Sequence, residues 1–175
     1  MTSDNMSIRR VVVLSMLASC GLVLFVFESF FPTLPWFRPG FGNISTILAL
    51  MFFGFSDAVK VTILRIVLGA LVLGRLFTPV FTLALCGGLA SALVMAGVMR
   101  STRIFGPVGI SILGAVGHNM VQLFVAYLLF VKSTEIFIFI PIFSVAGVAT
   151  GILTGLVSAM IYDKVRGRLG LVASM

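Results

Sequence analysis

The chain has 175 residues, of which 60% are hydrophobic and only 10% are charged, and its mean hydropathy is +1.23. Soluble domains carry about 25% charged residues, so this composition excludes an ordinary soluble protein and predicts a single integral membrane domain over residues 1–175. The net charge of +7 does not indicate a nucleic-acid partner. The basic residues are spread thinly and mostly border apolar segments, as membrane topology signals do.

The first apolar segment, Val11–Phe31, follows Arg10 directly. It is long enough to cross a bilayer and contains Glu28 near its far end, without the small-residue pattern of a cleavage site, so it predicts a retained first span. Ser15 and Ser19 in its first half are small residues that let another helix approach closely. We therefore predict that this part of the span packs against a helix.

A loop rich in proline and glycine follows the first span and ends at Asn43. Three prolines and two glycines exclude a helix interior over residues 32–43. Trp36 lies between apolar neighbours and is followed shortly by Arg38, a mixture that is typical of the membrane interface. We predict an ordered loop there, placed to cover a site.

Five further spans are predicted. The second is short, because a dozen residues cover only ~18 Å of a ~30 Å hydrocarbon core. It either begins inside the preceding loop, which we favour, or is re-entrant. The predicted bounds are Ile44–Phe55, Ala58–Gly74, Val80–Met99, Pro107–Val131 and about Ile138 to Tyr162, with Ser56 and Asp57 between the second and third.

Small residues recur every four positions in two of these spans, a pattern typical of close helix packing. Gly88 belongs to such a stripe in the fourth span, and Gly147, Gly151 and Gly155 form one in the sixth. These glycines are predicted to lie at helix–helix contacts.

The basic residues predict the orientation, since cytoplasmic loops carry an excess of Lys and Arg. The prediction is an all-α bundle of six transmembrane helices in the cell membrane with both termini cytoplasmic. It places Glu28, the tryptophan loop and the upper half of the fifth span on the outer side, where a pocket would open outward. The residues assigned to the cytoplasm are Arg9, Arg10, Lys60, Arg100, Arg103, Lys164, Arg166 and Arg168, and those assigned outside are Arg38, Arg75 and Lys132.

Polar side chains inside predicted spans are the candidate site residues. His118, Asn119 and Gln122 lie within five positions of the fifth span and either form a pocket or bond to neighbouring helices. Arg65 lies at the centre of the third span, where an uncompensated arginine costs about 2.5–3.5 kcal/mol, so it should face the bundle and have a partner. Glu28 and Arg65 form either a structural ion pair or two ligand-facing charges.

Catalysis by this chain alone is not predicted. The five acidic residues are scattered, and no Gly-rich phosphate loop that ends in Lys-Ser or Lys-Thr is present. One histidine without a nearby Cys or Asp gives no catalytic triad or metal signature, and Cys20 and Cys86 are far apart. We therefore predict no metal ion and no cofactor.

Four segments resemble the bacterial Gx transporter family, which is also labelled heptaprenyl diphosphate synthase component I. They are Leu34–Asn43, Leu64–Gly69, Cys86–Gly88 and Gly109–Asn119. The family is similar in size and layout to the S components of energy-coupling factor transporters. That resemblance implies an outward pocket capped by the first loop, a membrane scaffold subunit that meets small residues of the first span, and cytoplasmic ATPases that supply energy.

The leading hypothesis is a substrate-binding membrane subunit of a transporter that takes up a small vitamin- or cofactor-like solute. The alternative is a membrane component of heptaprenyl diphosphate or menaquinone side-chain synthesis, in which Arg38, Arg65 and His118 contact a diphosphate. A scaffold for a membrane redox complex is a third hypothesis. The predicted binding residues are Glu28, Trp36, Arg38, Asn43, Arg65, His118, Asn119 and Gln122.

Overall fold

The computed structural model describes residues 3–30, 40–101 and 104–169. This part of the chain forms six α-helices. A five-residue π-helical turn, Tyr127–Val131, and a 3-10 helix, Thr134–Phe139, lie between the last two. The helices are α1 Ser3–Glu28, α2 Asn43–Phe53, α3 Phe55–Val72, α4 Pro79–Ser101, α5 Pro107–Ala126 and α6 Ile140–Leu169.

Four helical segments are long and apolar enough to cross a membrane, which makes the chain a multi-pass membrane protein. They are Ser7–Glu28, Pro79–Ser101, Pro107–Val131 and Thr134–Val165. The other two helices differ from these four. Helix α2 is too short to cross a bilayer alone, and α3 carries the charged residues Asp57, Lys60 and Arg65.

The second helix begins at Asn43 and has only 11 residues, so it is about 16 Å long. It begins one residue before the predicted Ile44, at the last residue of the preceding loop, and a short turn from Gly40 leads into it. Whether this helix is re-entrant stays open. The predicted break at Ser56 and Asp57 is wrong. Helices α2 and α3 separate at Gly54, whose φ of +89° suits glycine.

Several other helix bounds differ from those predicted. Hydropathy detects the membrane-crossing part of a helix, so it misses polar extensions such as the start of α1 and the end of α6. Helix α1 already begins at Ser3, within the predicted polar tail, and ends at Glu28. Helix α3 ends at Val72, two residues early. Helix α6 begins at Ile140 and continues past Tyr162.

A buried carboxylate joins the first and third helices at one end of the bundle. Asp57, in the first turn of α3, is 1% exposed. Its Oδ2 accepts a hydrogen bond from Arg10 Nε at 2.8 Å, and its Oδ1 lies 3.0 Å from Lys60 Nζ. Helices α1 and α3 therefore start at the same end, which we call the Asp57 end, and Glu28 lies toward the opposite one.

The glycines of α6 lie directly against α5. A Cβ atom at Gly147 would be 3.1 Å from the Val116 Cα, and one at Gly151 would be 2.5 Å from the Ile112 Cα. Gly155 makes a similarly close approach to α5. The two backbones are in contact here, so these positions have no room for a side chain.

The small residues of α1 lie elsewhere. Ser15 and Ser19 are exposed, whereas Ala18 between them is buried. Within the described part of the chain no helix covers the two serines, so the close approach of another helix to them stays a prediction.

Candidate functional site

Arg65 is buried in the middle of α3 and is 3% exposed. Its Nη2 donates to Asn43 Oδ1 at 3.0 Å and to Thr46 Oγ1 at 3.4 Å. Asn43 and Thr46 are three residues apart on α2 and therefore share one face of that helix. The first turn of α2 thus supplies neutral oxygen acceptors to the guanidinium group.

Two glycines make room for the Arg65 side chain. A Cβ atom at Gly42 would lie 1.9 Å from Arg65 Nη1, and one at Gly21 would lie 2.9 Å from Arg65 Cδ. Any larger residue at position 42 would overlap the guanidinium group. The turn before α2 and the backbone of α1 are therefore packed directly on this side chain.

Glu28 forms a hydrogen bond to the same turn before α2. Its side chain is 4% exposed, and its Oε1 accepts a hydrogen bond from the Gly42 N–H at 3.1 Å. The carboxylate at the end of α1 and the guanidinium group on α3 therefore both contact the turn at Gly40–Gly42.

A small cavity lies between these groups. Glu28, Arg65 and His118 line it together with Gly40, and its volume is ≈ 10 Å³. That is about the space one water molecule requires. Three ionisable side chains from α1, α3 and α5 thus meet in the interior. An arginine and an imidazole can bind an anion, and a carboxylate can bind a cation.

His118 reaches this position because α4 has a glycine opposite it. A Cβ atom at Gly87 would lie 3.0 Å from His118 Cε1 and 2.8 Å from Gln122 Cγ. The missing side chain lets the polar face of α5 pack closely against α4. Both His118 and Gln122 are almost fully buried.

The other two predicted binding residues of α5, Asn119 and Gln122, face neighbouring helices. Asn119 Nδ2 donates to the Phe143 carbonyl on α6 at 3.0 Å. Gln122 Nε2 lies 3.5 Å from the Leu83 carbonyl on α4, and Gln122 Oε1 has no hydrogen-bond partner among the described residues. His118 therefore lines the cavity, and Asn119 joins two helices. A binding role for Asn119 and Gln122 stays a prediction.

Trp36 and Arg38 lie outside the described residues, so their place near the site also stays a prediction. The predicted binding residues do not include Thr46, Gly42 or Gly87, which also contribute to this site. The position of Thr46, three residues after Asn43, is a signal that could have identified it. A glycine that only makes room for a neighbouring side chain gives no comparable signal.

The described side chains include no group of three or more His, Cys, Asp or Glu residues that could hold a metal ion. A family model described as heptaprenyl diphosphate synthase component I matches residues 17–161. This match confirms the resemblance to the family of that description and spans all the predicted binding residues. The resemblance to S components stays a prediction. No curated protein and no solved structure matches the chain significantly.

Proposed function

The chain belongs to the heptaprenyl diphosphate synthase component I family, and we propose that it is the solute-binding subunit of a membrane transporter. The solute would be a small vitamin- or cofactor-like molecule that enters from outside the cell membrane. The proposal includes six spans with both termini cytoplasmic. In this topology the predicted loop with Trp36 and Arg38 would cover the cavity from the outer side.

One observation carries the proposal: Glu28, Arg65 and His118 from three helices line one cavity inside a multi-pass membrane protein. Ionisable side chains within membrane spans are costly and usually mark pathways or binding sites. Arg65 and His118 suit a carboxylate or phosphate group, and Glu28 suits a cationic group of the same solute.

The cavity would have to widen to admit the solute, since ≈ 10 Å³ is far below the size of a vitamin. Solute entry requires the turn at Gly40–Gly42 to leave Arg65, which breaks the hydrogen bond from the Gly42 N–H to Glu28. The loop would then close over the solute. A scaffold subunit that contacts Ser15 and Ser19, with cytoplasmic ATPases, would drive release inward.

A second candidate function rests on the description of the matching family. In a membrane component of heptaprenyl diphosphate synthesis, Arg65 and His118 would hold the diphosphate, and a partner component would supply the catalytic groups. The word "component" in the family description favours such a partner.

Replacing His118 tests the first function. We expect wild-type protein purified in nanodiscs to carry a water-soluble small molecule, and His118→Ala to carry at least about tenfold less, because a hydrogen bond to a charged group contributes about 1.5–3 kcal/mol. Native mass spectrometry measures the bound fraction. Ser111→Ala is the control, because its hydroxyl bonds to Thr154 on α6 and it is not among the residues that line the cavity; this variant should unfold more easily but keep the molecule.

Two results would contradict the transporter proposal. One is equal retention of the molecule by wild type and His118→Ala. The other is Mg²⁺-dependent elongation of a prenyl diphosphate by the purified chain with a partner subunit, lost on His118→Ala, which would support the second candidate instead.

A further inference from the structure

A second and much larger cavity lies at the Asp57 end of the bundle. Its volume is ≈ 740 Å³, and it lies between the α2–α3 junction, the end of α4 and the start of α5. Ligand sites typically measure about 300–1,000 Å³. Glu28, Arg65 and His118 do not line it, so it is separate from the site described above.

Nine of the ten described residues that line this cavity have apolar side chains or, at Gly54, none. Leu50, Phe55, Met99 and Ile110 are among the side chains that line it. A polar, water-soluble molecule would lose its hydration against these side chains and gain few side-chain hydrogen bonds in return. The walls therefore suit a hydrocarbon chain.

Among the described residues that line the cavity, Arg100 is the one with a charged side chain. It is exposed at the last turn of α4, and it has no acidic partner in the described ranges. The buried carboxylate of Asp57, which lies close along the chain to the cavity residue Phe55, is already bonded to Arg10 and Lys60. The guanidinium group of Arg100 is thus available to an anion at the rim.

The start of α5 adds to this positive charge. Pro107, its first residue, also lines the cavity, and no side chain caps the helix at Gly106. The N-terminus of a 20-residue helix carries a partial positive charge and free N–H groups. Both Arg100 and the helix terminus therefore favour a negatively charged group at the same rim.

We propose that this cavity binds one anionic phospholipid from the adjoining leaflet, with an acyl chain against the apolar walls and the phosphate headgroup on Arg100. Arg100 follows the apolar stretch of α4, so it lies at headgroup depth. Basic residues in pockets between membrane helices bind anionic headgroups in this way. The inference goes beyond solute binding at Glu28, Arg65 and His118 and does not depend on it.

Replacement of Arg100 tests the lipid site. The full chain in detergent is titrated with phosphatidylglycerol or with phosphatidylcholine, and native mass spectrometry counts retained lipids. We expect wild type to prefer phosphatidylglycerol and Arg100→Gln to bind it about fivefold more weakly, because one basic residue at the surface contributes about 1 kcal/mol. Arg75→Gln, the same change at an exposed residue between α3 and α4, should bind like wild type.

A second variant tests the apolar part of the site. Met99→Trp places a larger side chain in the cavity and should reduce retention of phosphatidylglycerol while the thermal unfolding midpoint in detergent stays within a few degrees of wild type. Unchanged retention in this variant would show that the lipid binds elsewhere.

Three further results would overturn the proposal. Equal retention of phosphatidylglycerol and phosphatidylcholine by the wild type would show that the cavity does not select an anionic headgroup. An equal loss of phosphatidylglycerol binding in Arg75→Gln and Arg100→Gln would show that the effect comes from the net charge of the protein and not from a site at Arg100. Displacement of phosphatidylglycerol by farnesyl diphosphate at equal concentration would assign the cavity to an isoprenoid diphosphate instead of a phospholipid.

Discussion

Arg65→Ala is expected to abolish solute binding and to lower the free energy of unfolding by about 3–5 kcal/mol. The change removes the donor to the buried Asn43 Oδ1 and empties the space beneath Gly21 and Gly42, and both effects are destabilising. It also removes the permanent positive charge from the cavity. Denaturant unfolding in detergent and native mass spectrometry measure the two effects.

Two further variants make this test specific. Arg65→Lys keeps the charge but loses the planar fork of donors, so it should regain part of the stability without binding the solute. Arg75→Ala, at an exposed arginine, should match wild type in both measurements. Wild-type solute affinity in Arg65→Ala would exclude this residue from the binding site.

Gly151→Ala is expected to destabilise the protein by about 2–3 kcal/mol, although alanine favours helices more than glycine does. The new Cβ would lie 2.5 Å from the Ile112 Cα, a backbone atom that cannot move without separating α5 from α6. The midpoint of denaturant unfolding measures the change.

Gly97→Ala is the matched control for this glycine. Gly97 lies in α4, and a Cβ atom there would meet nothing within 4 Å. The same substitution should therefore stabilise the protein by up to about 1 kcal/mol. Equal effects at positions 97 and 151 would show that the contact between α5 and α6 does not limit stability.

Much of the helical architecture can be predicted from the sequence, because long apolar segments bordered by Arg and Pro leave few alternatives. The short second helix is harder to predict. Its true boundary depends on Gly54, where a single backbone conformation separates α2 from α3, and hydropathy does not change at that residue. The start of α1 is also hard to predict, because its first turns are helical but polar and hydropathy does not detect them.

The candidate site could be predicted in part. The sequence suggested that Arg65 faces the bundle, and its observed acceptors are Asn43 and Thr46. Periodicity alone placed His118, Asn119 and Gln122 on adjoining faces of one helix. It could not separate the cavity residue from those that face α4 and α6, because that depends on the rotation of α5 against helices distant in sequence.

The turn at Gly40–Gly42 also has a consequence for measured affinities. In the proposed transporter this turn occupies the space beside the Arg65 guanidinium group that the solute would take, so only molecules with the turn displaced can bind. The apparent dissociation constant then equals the intrinsic one divided by the fraction of molecules in which the turn is displaced. A substitution that only weakens the turn would then tighten equilibrium binding, yet leave the captured molecule less securely shielded. Strong capture and secure retention would be opposing properties of one three-residue segment.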